Sequence, residues 1–250
     1  MPFVKASPEA QLRLLELADL DTELNRLDHR RRSLPEIAEL SQLEERSAKV
    51  RDATTIADTN LADLDRELVR AEKDVEQVRV RIEKDNQRLN AGQVSNAREL
   101  ESLQSEVASL RRRQSDLEET ELELMERREA AQALRDGAGA EADKVAADTA
   151  AAAERRDTAL AEIGEQAAKA SAARATAAAD VPADLLALYD KIRASSAGLG
   201  AAPLHRGQCG GCRVMLSTVD LNAIRAAAPD EVIRCEECRR ILVRTPDSGL

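Results

Sequence analysis

Residues 61–82 read LADLDRELVRAEKDVEQVRVRI. Steps of three and four residues from the first leucine reach only apolar side chains, and most residues between them are polar or charged. A repeat averaging about 3.5 residues is typical of a coiled coil, because it keeps one apolar seam on one side of a helix. The seam comprises Leu61, Leu64, Leu68, Ala71, Val75, Val78 and Ile82. The same steps carry it from Leu40 to Leu89, with twelve of fifteen positions apolar.

A second apolar seam precedes the first and is out of phase with it. It runs from Leu17 to Leu34, and Pro35 stands where the two phases meet. Proline removes an internal helix hydrogen bond, so we expect a kink there.

A turn and a further helix follow the long seam. Residues 90–96 read NAGQVSN and predict a turn. A third seam then runs from Leu100 to Ala131, and an alanine-rich stretch covers 138–180. Alanine is the best helix former, so we interpret this stretch as helix, with a low-complexity linker as the alternative.

The two arms around the turn have nearly equal lengths, which favours an antiparallel coiled-coil hairpin. In such a hairpin, residue i would face roughly residue 187 − i. The leucines of 12–34 would then meet the alanines of 150–175, and large side chains facing small ones allow close packing. A parallel dimeric coiled coil stays open as the alternative for a heptad run of this length.

Composition limits the classes of protein that this chain can belong to. Aromatic residues make up 1% and charged residues 34% of the 250 residues, which argues against a conventional α/β enzyme or a β-sandwich. No run of 18 apolar residues and no export signal is present, so we expect a cytoplasmic protein without a membrane partner. The net charge of −10 disfavours non-specific binding of nucleic acid by the whole chain.

The sequence divides into three predicted parts. We assign 1–182 to the coiled-coil hairpin, 183–200 to a linking helix and 201–250 to a small β module. Asp180 and Pro182 suit the start of the linking helix, whose apolar stripe we interpret as core. The fold class is therefore mainly α, with a small C-terminal zinc ribbon for the reasons that follow.

All four cysteines lie in the last part, in two Cys-x-x-Cys pairs. Cys209 and Cys212 flank two glycines, and Cys235 and Cys238 follow 22 residues later. Such pairs predict a tetrahedral site for one structural Zn²⁺, because each short turn aims two thiolates at one ion. Four cysteines leave no open position for catalysis. Disulfides would need an oxidising compartment, and no thioredoxin-like unit surrounds the cysteines.

The flanks of the cysteine pairs fit a zinc ribbon. Strand candidates are 214–216, 231–234 and 241–243, and Ser217 with Asp220 resembles a capping box that opens a short helix ending near Ala227.

Three segments together resemble the bacterial C4-type zinc ribbon proteins that carry an N-terminal coiled-coil hairpin. The segments are VSNAREL at 94–100 with Leu103 and Glu106, LLALYDKIR at 185–193, and the two cysteine pairs with RRIL at 239–242. The family tends to have glycine after the last cysteine, where this chain has Arg239. The resemblance implies a non-enzymatic adaptor. Members in flagellated or secretion-bearing bacteria are linked with an alternative sigma factor, secretion chaperoning or RNA.

Protein binding is the first function that the sequence favours. A hairpin offers a large surface and no pocket, and we find no paired carboxylates, phosphate loop or nucleophile–base pair. We therefore expect an interaction adaptor with protein partners in transcription or secretion regulation, and no small-molecule substrate. Asn96, Arg98 and Glu99 at the hairpin tip are candidate contacts, with helix capping and salt bridging as the alternative.

Nucleic-acid binding through the ribbon is the second function. Six arginines lie near the cysteine pairs and could contact RNA or DNA phosphates. They are Arg206, Arg213, Arg234, Arg239, Arg240 and Arg244. Seven arginines and six acids in residues 203–250 sum to only +1, and the segment has no aromatic residue for base stacking. A solvated ribbon surface is the alternative.

Overall fold

A computed structural model describes residues 4–92 and 96–250. Residues 93–95, in the middle of the predicted turn, and Phe3 lie outside the described residues. The helices are α1 (Pro8–Arg32), α2 (Pro35–Asn90), α3 (Ala97–Ala179), α4 (Ala183–Ser195) and α5 (Thr218–Ala226). The strands are β1 (Ala201–His205), β2 (Gln208–Cys209), β3 (Ile233–Arg234) and β4 (Ile241–Val243), and a 3₁₀ turn spans Pro246–Ser248.

The chain forms two compact units. Unit 1 combines Met1–Ile37 with Glu154–Leu250, and unit 2 is Ala38–Ala153. This division comes from contacts within the chain and does not follow the three predicted parts, whose boundaries stay a prediction. None of the described helices is both long and apolar enough to span a membrane.

Unit 2 holds α2 and α3 as antiparallel partners. Leu64 of α2 is buried with Leu124 and Ala131 of α3, as the heptad spacing predicts. Arg46 pairs with Glu141, and Arg81 Nη2 lies 2.6 Å from Glu106 Oε1. In each of these two ion pairs the residue numbers add up to 187, which is the predicted register. The antiparallel hairpin is confirmed, and α3 continues through the alanine-rich stretch.

Pro35 separates α1 from α2. Only Ser33 and Leu34 lie between the two helices, and Pro35 is the first residue of α2. A missing N–H is harmless at this position, because the first amides of a helix have no internal partner. The phase change in the sequence thus corresponds to the end of one helix and the start of the next.

One apolar cluster of unit 1 joins helices to a sheet. Leu14 and Leu17 of α1 pack with Leu185 and Tyr189 of α4 and with Ile241 of β4. The sheet order is β2-β1-β4-β3, with β1 and β4 parallel and the other two pairs antiparallel.

The two faces of the sheet contribute side chains to two different buried clusters. Ala201, Ile241 and Val243 belong to the core with the helices, whereas Ala202, Leu204 and Leu242 belong to a cluster with Cys209 and Cys235. Alternate residues of a strand point to opposite faces, and every one of these positions is buried because both faces are covered. The sheet therefore connects the helical core to the cysteines.

The sequence located these strands only in part. β4 is the predicted 241–243, and β3 covers the second half of 231–234. In 214–216 only Met215 makes a bridge, to Gln208. β1 was not predicted, because it contains Pro203 and lacks an alternating pattern. The capping box of Ser217 and Asp220 is present at the start of α5.

A buried carboxylate connects three helices of unit 1. Asp21 of α1 is 0% exposed and accepts hydrogen bonds from Tyr189 Oη of α4 at 2.6 Å and Arg174 Nε of α3 at 2.7 Å. Arg193 Nε of α4 lies 3.0 Å from its second oxygen. Arg174 also donates to Asp190 at 2.7 Å. We call these five residues the Asp21 cluster.

The tyrosine of this cluster stays protonated over the whole accessible pH range. Burial, the hydrogen bond to Asp21 and the charge of Asp21 raise the pKa of Tyr189 well above its ordinary value. Its hydroxyl is therefore a permanent donor to the buried carboxylate, and it explains a tyrosine in a chain almost without aromatic residues.

Removing the Asp21 carboxylate should destabilise unit 1 strongly. We expect Asp21→Ala to lower the free energy of unfolding by about 3–5 kcal/mol, because two guanidinium groups lose the charge that balances them. Tyr189→Phe should lower it by about 1–3 kcal/mol, through the loss of one donor to a charged group. Urea denaturation of the full chain, followed by circular dichroism, measures both changes.

The control is Asp190→Ala, which removes a half-exposed partner of Arg174 and should change the free energy of unfolding by less than about 1 kcal/mol. An Asp21→Ala effect no larger than this control would contradict the assignment.

Candidate metal centre

The four cysteine sulfurs lie together at one end of the sheet. All four Sγ atoms are within 4.8 Å of one another. The Sγ atoms of Cys209 and Cys238 are 3.8 Å apart, and those of Cys212 and Cys235 are 3.9 Å apart. A zinc ion with Zn–S bonds of about 2.3 Å requires sulfurs about 3.8 Å apart in a regular tetrahedron. The spacing therefore fits one tetrahedral zinc.

Two glycines let the first cysteine pair lie close to the rest of the ribbon. A Cβ on Gly210 would come within 2.9 Å of the Pro203 carbonyl oxygen, and a Cβ on Gly211 within 2.9 Å of Arg240 Cδ. The Gly210 N–H donates to that same Pro203 carbonyl at 2.9 Å. Close approach to the β1 backbone, rather than an unusual backbone angle, requires glycine at position 210, whereas at 211 the nearest obstacle is the Arg240 side chain.

Both cysteine pairs end in the same backbone geometry. The N–H of Arg213 donates to the carbonyl of Cys209 at 2.8 Å, and the N–H of Arg239 donates to the carbonyl of Cys235 at 2.9 Å. Arg213 has φ +60° and Arg239 has φ +61°. A left-handed residue costs about 1–2 kcal/mol for any residue with a Cβ. The glycine that the resembling family carries at this point would avoid that cost.

The thiols differ in how readily they ionise in the metal-free chain. Burial raises the pKa of Cys209 to about 12. Burial also acts to raise the pKa of Cys238, but hydrogen bonds from the Arg240 backbone and side chain and from Cys212 and Cys235 lower it to about 7. Metal binding requires thiolates, so loading the site must release protons.

Four of the six candidate arginines are engaged within the ribbon or with α4. Arg240 donates to the carbonyls of Ser196 and Leu199, at the end of α4. Arg244 donates to four carbonyls after α5, at distances from 2.8 to 3.2 Å. Arg234 donates to the Arg239 carbonyl, and Arg239 pairs with Glu236.

Arg206 and Arg213 are the remaining two candidates. Both are exposed, and neither forms an ion pair within residues 4–92 and 96–250. Arg239 is also largely exposed, since its ion pair with Glu236 lies on the surface, and phosphate binding by the set stays a prediction.

Exposed apolar side chains on α5 and on the segment before it were not found from the sequence. Val214, Met215 and Val219 are 42%, 63% and 77% exposed. Ala223 and Ala226 of α5 are exposed as well. We call these five residues the α5 face. Its sequence signal is the near absence of charge in 214–228, in a chain where 34% of residues are charged.

The candidate tip residues make local contacts. Asn96 Oδ1 accepts a hydrogen bond from the Arg98 N–H at 3.0 Å, and Glu99 lies 4.0 Å from Arg88. Arg98 is exposed. These contacts are the capping and salt-bridging roles that the sequence left open, and a partner contact at the tip stays a prediction.

Two family models match the chain. The CT398-like coiled coil hairpin domain matches residues 17–197, and the C4-type zinc ribbon domain matches 208–242. The chain belongs to the CT398-like hairpin family. It carries a C4 zinc ribbon, whose cofactor is one structural zinc. Both domains fit a structural or adaptor role, and neither is an enzymatic family.

Relatives and solved structures agree with this assignment. The uncharacterized protein Rv2229c of Mycobacterium tuberculosis is 39% identical over 241 residues, which are 96% of this chain and 98% of the relative. A solved structure from Mycobacterium smegmatis is 34% identical with TM-score 0.83, covering 97% of this chain and 100% of the other. CT398 of Chlamydia trachomatis shares the fold at 19% identity and TM-score 0.67, over 95% of this chain and 98% of its own.

Glycine at position 239 should strengthen the metal site. We expect Arg239→Gly to stabilise the ribbon by about 1 kcal/mol, because it removes the left-handed strain and only an exposed ion pair. Competition with a chelator, read as zinc released against chelator concentration, measures the change. The matched control Arg225→Gly places glycine inside α5 and should make zinc release easier. Easier release from Arg239→Gly would show that the arginine side chain supports the site.

Proposed function

We propose that the protein is a non-enzymatic adaptor that binds a protein partner through the α5 face of its zinc ribbon. The exposed apolar side chains of this face carry the proposal. Val219 is 77% exposed on the first turn of α5, and Met215 is 63% exposed on the segment before it. Large apolar side chains are costly to leave in water, and neighbouring ones mark protein interfaces.

The described residues of unit 2 also include exposed large apolar side chains. Ile56, Val69 and Leu134 are widely separated, whereas Leu122 and Met125 lie three residues apart on α3. Scattered apolar residues such as the first three are normal on a protein surface. In this proposal the hairpin contributes extended charged surfaces to the adaptor. At its tip, Asn96, Arg98 and Glu99 remain candidate contacts with a partner.

The proposed role of the zinc is structural. We assign Cys209, Cys212, Cys235 and Cys238 as its four ligands, on the tetrahedral spacing of the sulfurs. A closed four-sulfur shell holds the ribbon together and leaves no position for a substrate. Four thiols kept for a metal suit a reducing compartment, so we place the protein in the cytoplasm.

Nucleic-acid binding is the second candidate, and Arg206 and Arg213 favour it. Their guanidinium groups are exposed, and they come from the two turns that border β2. Two arginines can contact phosphates but supply little affinity, because each neutralised phosphate adds only a small salt-dependent gain. We therefore rank protein binding first, with transcription or secretion regulation as its setting.

A pair of matched variants separates the two functions. We expect Met215→Ser/Val219→Ser to reduce recovery of the protein partner from native lysate at least about tenfold, since apolar residues at the centre of an interface supply most of its affinity. Arg206→Ser/Arg213→Ser should leave recovery unchanged. Both double variants must retain zinc and helix content, which metal analysis and circular dichroism verify.

Nuclease treatment completes this test. Recovery that survives nuclease and depends on Met215 and Val219 supports the adaptor. Recovery that nuclease abolishes and that requires Arg206 and Arg213 would overturn it in favour of nucleic-acid binding.

A further inference from the structure

Three seam positions of unit 2 hold charged residues, namely Asp85 of α2 and Glu121 and Arg128 of α3. Asp85 lies in the α2 seam between Ile82 and Leu89, and Arg128 lies in the α3 seam between Leu124 and Ala131. Apolar side chains are favoured at the seam positions of a coiled coil, and a polar residue there lowers its stability. Most other seam positions of the two helices are apolar.

Asp85 is buried without a close partner. Its side chain is 7% exposed, and Oδ2 accepts no hydrogen bond from any described residue. Arg81 and Arg88 of the same helix lie 3.9 Å from its two oxygens. Each arginine also reaches across to an acid of α3: Arg81 to Glu106 at 2.6 Å and Arg88 to Glu99 at 4.0 Å.

Arg128, unlike Asp85, has a close partner of opposite charge on the other helix. Its Nε lies 2.6 Å from Asp65 Oδ1 of α2, next to the buried Leu64. Two turns further along α3, Arg135 Nε lies 3.1 Å from Asp58 Oδ1 of α2. Arg128 thus has its compensating charge only when α2 lies antiparallel to α3, whereas the arginines nearest Asp85 belong to the same helix as Asp85.

Parallel pairing of identical helices from two copies would remove the compensation of Arg128. In a parallel pair of identical helices, each seam residue faces its own copy. Two α2 helices would bring two Asp85 carboxylates together, and two α3 helices would bring two Arg128 guanidinium groups together. Burying like charges opposes association strongly.

We propose that Asp85 and Arg128 oppose parallel pairing of α2 or α3 with the same helix of a second copy of the chain, and so direct α2 and α3 to pair with each other. The charges lower the stability of the hairpin and in exchange exclude a competing assembly. This inference concerns unit 2 and is independent of the ribbon function proposed above.

The test detects α2–α2 pairing directly. Val78 is a seam residue, so Val78→Cys places a thiol that would face its own copy in a parallel pair. The full chain carrying this change is refolded from urea with zinc and treated with a short bismaleimide. In the background Asp85→Leu/Arg128→Leu we expect covalent dimers on a denaturing gel, at least about tenfold above the level with Val78→Cys alone.

Matched controls make the outcome decisive. Asp52 and Arg112 are exposed residues of the same two types on the outer sides of α2 and α3, and Asp52→Leu/Arg112→Leu should not increase the dimer. A chain without Val78→Cys reports any reaction of the zinc cysteines. Equal dimer levels in the three Val78→Cys chains would overturn the proposal, as would an increase in the control double variant.

Discussion

Asp21 is a fully buried carboxylate, and its charge must be balanced inside unit 1. A lone buried charge is prohibitively costly, so Asp21 is stable only while Arg174 and Arg193 lie beside it and Tyr189 donates to it. These groups come from three helices that are far apart in the sequence. The carboxylate therefore fixes how α1, the end of α3 and α4 meet, and the apolar cluster around Leu14 and Leu185 forms on that arrangement.

The ribbon depends on the same arrangement through its sheet. Ile241 and Val243 of β4 pack against the helices, while Leu242 between them packs towards the cysteines. Lys5, just before α1, forms an antiparallel backbone β-bridge with Glu231. The Gln11 side chain donates to the backbone carbonyls of Ala6 and Pro229. The segment between α5 and β3 is thus held on α1 and on the residues before it. Val219 of α5 and Met215 before it remain exposed.

The sequence predicted the regular parts of this structure because they depend on local spacing. Heptad positions such as Leu64 and Leu124 indicated the hairpin, and the Cys-x-x-Cys pairs indicated the metal site. The Asp21 cluster could not be predicted in this way. Asp21 and Arg174 are 153 residues apart, and an acid in a helix resembles any solvated residue. Likewise, no pattern reveals that Arg240 and Arg244 donate to backbone carbonyls, so a count of arginines overstated the cationic surface.

The central claim is that the Asp21 cluster and the inner face of the sheet form one cooperative core. Hydrogen exchange of the full chain with Tyr189→Phe tests it most directly, because this change removes one hydroxyl and little packing. The account predicts faster exchange than in the unchanged chain both in α1 and in β4, where the Ile241 amide donates to the Gly200 carbonyl. Faster exchange in α1 and α4 with β4 unchanged would contradict it, and would show that the ribbon is stabilised by its zinc alone.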